Sequence, residues 1–462
     1  MTIRRVRALT LALAMTAGLP PAAIAQTSLQ IPLQFDFLNP GAKSLAMGGA
    51  FSGVADDATA TLANPAGLIL IGQREVSLEG RVTSNNASFL QGGRLSGPVL
   101  NEGLDTVGGP QFADSRGTHA GPTFLSVVLP FARTDPADPR VGQTRWVLAA
   151  QRHELVRVDQ QFQSTGVFQQ APGDLTSVRE RPQQSDRQLS ITSYGLSMAY
   201  AVRPGIAIGG GLSLYRFSID SIFRRFDTIG FLGAPNTGTE LGRSTQIGDD
   251  TGVAPSLGLL IGTGGRTRAG VLYRHGPSFT FQTVEALGSP ERDVIFRVPH
   301  TLAVGLSHRP RPSILLALEV TRVTYARLEQ EFVTDQARNT GRARSDESFR
   351  IDDGTEVHLG AQYLKIDWRF APKFRVGAWY DPDHSVRYRP ATPPVTRADG
   401  LFDERHATAL STGDNRVHGS AGLGLSISPR IEWNIGADVA ARNLIVSTSI
   451  IVRAGSRSGG RQ

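Results

Sequence analysis

The sequence predicts an all-β fold: an outer-membrane antiparallel β-barrel of about fourteen strands whose lumen holds a plug made from its own N-terminal segment. Three observations predict it. From residue 74 onward apolar and polar residues alternate with period two. The segments that alternate are joined by connectors that are long at one end and short at the other. The chain has 462 residues with 51 Gly and no Cys, so no disulfide framework stands in for a closed sheet.

The alternation is plain in Thr355-Glu-Val-His-Leu-Gly-Ala-Gln-Tyr363, where Thr, Val, Leu, Ala and Tyr share one face and Glu356, His358, Gly360 and Gln362 the other. Segments of this kind fall at 74–83, 121–132, 144–160, 187–202, 205–225, 251–262, 266–283, 297–309, 312–332, 355–367, 372–380, 416–428, 430–440 and 443–453. The connectors 84–120, 161–186, 226–250, 284–296, 333–354 and 381–415 are long and polar. Arg203-Pro204, Thr263-Gly264-Gly265, Pro310-Arg311 and Ser428-Pro429-Arg430 are tight turns, and 133–143 is somewhat longer. A soluble sandwich or propeller has no reason to gather its long loops at one end, whereas an outer-membrane barrel does. Closing the sheet also satisfies every strand edge without covalent help.

Arg4, Arg5 and Arg7 precede an apolar run over 8–19 and an Ala23-Ile24-Ala25 site, the pattern of an export signal removed after residue 25. That run is shorter than the roughly 20 residues a spanning helix needs. The expected organisation is a signal at 1–25, a plug at 26–72, a barrel at 73–453 and a polar tail at 454–462.

A barrel of about fourteen strands leaves a lumen that needs filling. The segment before the first strand is suited to it: in Leu45-Ala-Met-Gly-Gly-Ala-Phe51, Gly48 and Gly49 permit close backbone approach. Asp56 or Asp57 is placed to cap a short turn through 58–62, and Asn64-Pro65 ends it, followed by Ala66 and Gly67.

The formal charge of +7 comes almost wholly from Arg, with Lys only at Lys43, Lys365 and Lys373. These cations are scattered rather than gathered on one tract, which argues against nucleic acid and suits contact with lipopolysaccharide and other phosphorylated outer-membrane lipid. His153-Glu154 begins like a zinc-protease helix, but Arg157 stands where the second His belongs. Gly195-Leu-Ser-Met-Ala199 lacks the last Gly of a nucleophile elbow, and Gly209-Gly-Gly211 has no following helix to cradle a phosphate. Neither an enzyme, nor a metal, nor a cofactor is indicated.

Asn39-Pro-Gly-Ala-Lys-Ser-Leu-Ala-Met-Gly-Gly-Ala-Phe51, Val54-Ala-Asp-Asp-Ala-Thr-Ala60 and Asn64-Pro-Ala-Gly67 together resemble the N-terminal hatch of the long-chain fatty acid and hydrocarbon transporter family of Gram-negative outer membranes. Weaker likeness continues through Arg268-Ala-Gly-Val-Leu-Tyr-Arg274, Val298-Pro-His-Thr-Leu-Ala-Val-Gly-Leu306 and Phe374-Arg-Val-Gly-Ala-Trp-Tyr-Asp381. The resemblance implies a fourteen-stranded barrel that passes hydrophobic molecules by diffusion. It implies a ligand that binds between outer loops, moves to a lumen site and passes when the hatch shifts, with lateral exit at a kinked third strand. The residues it assigns to the hatch are Gly48, Gly49, Asn64, Pro65 and Ala66. In the third strand the polar run Gln151-Arg-His-Glu154 is the candidate interruption. The chain departs from the pattern by ending on polar residues instead of an aromatic.

Expected partners are therefore fatty acids or hydrocarbons, with the protein a monomer. Groove candidates are Phe223, Phe226, Ile229, Phe231 and Leu232, with Phe279 and Phe281; the alternative assigns these aromatics to the interfacial girdle. Glu319, Glu356, Arg375, Glu432 and Asp438 lie on the polar faces of their strands, where they bond to the plug or meet solvent, and Arg375 is of the type that holds a carboxylate. The rival function is a non-transporting outer-membrane barrel that serves secretion or surface attachment.

Overall fold

The computed structural model describes residues 37–95, 108–132, 143–170, 177–179, 182–226, 239–284, 291–328, 349–388, 414–441 and 443–454. The export signal, Ile229, Phe231, Leu232 and the tail beyond 454 lie outside the described residues. Fourteen antiparallel strands close into a barrel. They are β1 (Arg74–Gly93), β2 (Pro110–Ala132), β3 (Thr144–Ser164), β4 (Gln183–Arg203), β5 (Ile206–Phe226), β6 (Glu240–Ile261) and β7 (Thr267–Arg274). They continue with β8 (Thr301–Arg311), β9 (Ile314–Val323), β10 (Gly354–Leu364), β11 (Lys373–Asp381), β12 (Arg416–Ser428), β13 (Ile431–Ala440) and β14 (Asn443–Ala454). Each strand pairs with its neighbours in chain order, and β14 returns to β1 from Asn443↔Asn85 to Ala454↔Arg74.

The wall is inside out relative to a soluble protein. On β10, Val357, Leu359 and Tyr363 point outward and are exposed, while Glu356, His358 and Gln362 point inward and are buried. Leu196 on β4 and Val417 on β12 are 70% and 72% exposed. A belt of such residues around the whole barrel is intolerable in water and is what the bilayer solvates. Tyr194, Tyr273 and Tyr380 mark its edge toward the long loops, and Tyr363 and Phe374 its edge toward the short turns.

Three sequence expectations are corrected. The segment 312–332 is strand only over Ile314–Val323, after which Tyr325–Leu328 forms a 3-10 helix. The connectors 84–120 and 226–250 are in large part strand, since β1 runs to Gly93, β2 begins at Pro110 and β6 at Glu240. Beyond the bilayer both faces meet water, so the period-two hydrophobic signal fades while the hydrogen-bonded ladder persists. The segment 266–283 is two strands, not one: β7 stops at Arg274, and Ser278–Val284 forms a separate hairpin with Arg292–Arg297. His275-Gly276-Pro277 makes the break, because Pro277 has no N–H to give a ladder and Gly276 packs so tightly on Val298 that a Cβ would lie 2.0 Å from its carbonyl oxygen. The hairpin's first strand rejoins the barrel higher up, against β6 at Gln282↔Ile247 to Val284↔Thr245.

Residues 37–72 precede β1 and lie within the ring of strands. Their only regular pieces are the helices Ala42–Ala46 and Ala60–Ala63 and the 3-10 helix Pro65–Leu70. They touch inward faces on opposite sides of the barrel, from Gly209 on β5 to Gly436 on β13.

Candidate functional site

The N-terminal segment is a series of tight turns and very short helices whose internal hydrogen bonds leave some amides and carbonyls over, among them the amides of Gly41, Phe51, Ser52 and Ala58. Inward side chains of the wall supply the partners. Glu319 on β9 accepts from the amides of Phe51 and Ser52 at 2.9 and 2.6 Å, and Glu75 on β1 accepts from Ala58 at 2.7 Å. Glu79 accepts from the Gly41 amide at 2.9 Å, and Arg274 donates to the Leu62 carbonyl at 2.7 Å. His358 Nδ1 lies 2.7 Å from the Gly48 carbonyl oxygen, which only accepts, so that nitrogen carries the proton.

The sequence-assigned residues of this segment each have a definite place. Gly48 and Gly49 have φ of 63° and 78°, a region only glycine enters freely. A Cβ on Gly48 would lie 2.8 Å from the Leu359 carbonyl oxygen. Asp57 accepts from the amide and hydroxyl of Thr59 at 3.0 and 2.5 Å and so starts the turn leading into Ala60–Ala63. Asp56 instead pairs with Lys43 and, at 3.5 Å, with Arg309 on β8. Asn64 caps the 3-10 helix through the Ala66 amide at 3.1 Å, with Pro65 in its first turn. The same side chain donates to the carbonyls of Ser52 and Leu259, tying two parts of the segment to β6. Gly67 packs on Ala55 with no room for a side chain.

The wall answers with glycines that sequence reading did not connect with the N-terminal segment. Gly209, Gly258, Gly270, Gly305, Gly360 and Gly377 lie on six strands, and a Cβ on any of them would overlap the segment's backbone at 3.0 Å or less. Several pair across the ladder, as Gly209↔Gly258, Gly270↔Gly305 and Gly360↔Gly377 do. The available signal was an isolated Gly on the polar face of a strand, which marks close approach of another backbone.

Toward the long loops lies an apolar cluster. Phe217 on β5 stacks on Phe279 at 4.9 Å, with Phe296 at 5.3 Å and Phe281 at 6.1 Å. Leu189, Ile191, Tyr325 and Leu328 complete much of it. Phe279 and Phe281 thus point into the lumen and not to the interfacial girdle. Phe223 is buried at the far end of β5 and Phe226 is half-buried there; neither belongs to the cluster. Phe217, Phe296 and Tyr325 were missed because single strands do not reveal which residues converge across the barrel.

Among the polar candidates, Glu319 grips the segment and Glu356 accepts from the Tyr325 hydroxyl at 3.0 Å. Arg375 is held on the opposite side of the segment: its Nε and one terminal nitrogen donate to Gln362 and Asn434, both at 2.8 Å, and the other terminal nitrogen faces Glu432 at 3.6 Å without a hydrogen bond. Asp438 accepts from Trp379 Nε1 at 3.0 Å and from His418 at 2.7 Å.

The wall has a seam. β2 and β3 pair only from Phe124↔His153 to Ala132↔Thr144, although both strands continue well beyond. A register shift falls in β2 opposite Glu79/Gly80, and another in β3 between Glu154 and Val156. Pro122, which has no N–H, stands at the break. Side chains span the gap in place of a ladder: Arg152 donates to the Pro122 carbonyl, and His119 lies 3.3 Å from Glu154. The interruption therefore begins at the end of the run 151–154: Gln151, Arg152 and His153 still pair with β2, and the ladder stops beyond His153. Val156, just past the second register shift, belongs to the apolar cluster, and Leu155 packs against it.

No family model and no curated protein matches the chain. Solved structures do. The toluene transporter TbuX of Ralstonia pickettii is 16% identical over 91% of this chain and 100% of its own, with a TM-score of 0.57. A FadL homologue of Pseudomonas aeruginosa is 12% identical over 90% and 99%, with a TM-score of 0.60. The toluene transporter TodX of P. putida is 14% identical over 91% and 100%, with a TM-score of 0.54. At such identities the likeness is one of backbone arrangement, and it spans nearly every residue of both partners. The chain has the fold of the outer-membrane fatty acid and hydrocarbon transporter barrels.

Proposed function

We propose that the protein is a passive outer-membrane channel for hydrophobic compounds, with hydrocarbons and long-chain fatty acids as its substrate class. The observation that carries this reading is the apolar cluster running from Phe279 and Phe296 to Leu155 and Val156 at the seam. A hydrophobic solute is repelled by the polar lipopolysaccharide layer and is drawn to apolar surface at about 25 cal/mol per Å². Entering among the aromatics, it moves down its own gradient toward the seam, where side chains rather than a ladder close the wall. The N-terminal segment acts as the hatch, because it fills the straight route through the lumen. The names of the structural neighbours, two of them toluene transporters, supply the first probe to try.

Cells or liposomes bearing the protein are expected to take up labelled toluene or oleate faster than controls, and deletion of residues 45–68 is expected to change that rate. Equal uptake with and without the protein would sink the reading.

A further inference from the structure

A continuous line of buried contacts joins the apolar cluster to the hatch. Tyr325, fully buried, belongs to the cluster and packs its ring 5.9 Å from Phe37 and 3.9 Å from His384. Its hydroxyl donates to Glu356 Oε1 at 3.0 Å, and Glu356 Oε2 lies 3.2 Å from His358 Nε2. His358 Nδ1 in turn holds the Gly48 carbonyl at 2.7 Å. The imidazole has little freedom to swing away, because it stacks on Trp379 at 5.2 Å and 15°, and Trp379 stacks on His418 at 3.8 Å. At the far end of the line, Gly48 and Gly49 have left-handed backbones and lead directly to the Phe51 and Ser52 amides held by Glu319.

We propose that Tyr325, Glu356 and His358 are positioning residues that couple occupancy of the apolar cluster to the Gly48 turn of the hatch. The inference rests on the transport reading and adds to it the route by which solute is sensed. A solute entering among Phe217, Phe279 and Phe296 displaces side chains packed there, Tyr325 among them. When the Tyr325 hydroxyl leaves Glu356, the carboxylate is free to turn away from His358. The hold on Gly48 then weakens in a buried setting where each lost hydrogen bond is costly.

The contact line is chemical and not merely steric, which sets the test. Gln at 356 keeps an oxygen for Tyr325 and offers N–H to a neutral His358, whereas Leu has similar bulk and neither group. Hydrogen exchange of the amides in 48–52 would be followed in nanodiscs for wild type, Tyr325→Phe, Glu356→Leu and Glu356→Gln, with and without toluene. Without probe, Tyr325→Phe and Glu356→Leu are expected to exchange about fivefold faster than wild type, the worth of one net hydrogen bond, while Glu356→Gln stays near wild type. Toluene is expected to speed exchange in wild type and Glu356→Gln and to add nothing in the other two. Unchanged exchange in both Tyr325→Phe and Glu356→Leu, or a Gln variant as loose as the Leu variant, would overturn the coupling. Uptake measured on the same proteins separates the two readings: bound and transported toluene with indifferent hatch amides overturns the coupling alone, and absent uptake with loosened amides counts against transport alone.

Discussion

A methyl group at residue 377 would lie 2.2 Å from the Gly48 nitrogen and 2.4 Å from the Met47 carbonyl carbon, so the N-terminal segment has no way to keep its place beside an alanine there. On the next strand Gly419 has nothing within 4 Å of the same hypothetical atom. Gly377→Ala is therefore expected to cost about 1–3 kcal/mol, as overpacking does, and Gly419→Ala close to nothing. Chemical denaturation of the refolded protein in detergent checks both, and equal midpoints would refute the close fit. Polar residues of the lumen divide in the same way by what they touch. Glu319 was legible in the sequence as an inward carboxylate, but its role in holding Phe51 and Ser52 depends on residues more than 260 positions away. Arg375 was equally legible and has the chemistry to hold a carboxylate, yet Gln362, Asn434 and Glu432 already surround it.

Among the elements, β3 departs furthest from a regular ladder. The polar run 151–154 was visible in the sequence, but a one-residue slip in each of two strands, which opens the seam just beyond its paired residues Gln151 to His153, leaves no mark in hydrophobic periodicity. His119 and Glu154 face each other across it at 3.3 Å. The chain has no native Cys, so His119→Cys with Glu154→Cys can be bridged selectively by a short bifunctional thiol reagent. Bridging is expected to reduce uptake of toluene or oleate severalfold, a barrier change of about 1 kcal/mol or more, and undiminished uptake would exclude the seam as the exit. Beyond the outer end of β11, His384 supplies a pH signature. Burial works against its imidazolium, but the hydrogen bond and charge of Asp381 at 3.2 Å outweigh it and raise the pKa above the ordinary 6.5. A raised folded pKa gives stability that is full below 6.5 and is lost as pH climbs through the folded value. Hydrogen exchange in 382–388 should thus quicken, beyond the intrinsic base-catalysed rise, as pH climbs above 6.5 through the raised folded value, and His384→Gln should remove that excess.

At the scale of the whole molecule, the belt of outward Leu and Val makes the bilayer part of the folding environment. Leu196, 70% exposed on β4, is expected to tolerate polar change poorly: Leu196→Arg should destabilise the barrel in lipid by up to about 2–4 kcal/mol, depending on its depth. Folding titrations into vesicles measure this, and a neutral result would displace the belt from that row.

The sequence by itself determined the class of fold, because period-two alternation, long connectors at one end and the absence of Cys are local properties that survive without any knowledge of pairing. It also determined that residues 39–67 are something other than a strand, and within them Asp57, Asn64 and Pro65 form the turns their chemistry favours. Only the tertiary structure decided which side chains meet. Phe217 and Phe296 converge from strands 79 positions apart, the wall glycines receive a backbone that passes across six strands, and Tyr325 finds Glu356 and, through it, His358 and Gly48. A closed barrel brings distant residues together through register and shear, and those quantities are set by the ring as a whole and not by any one strand.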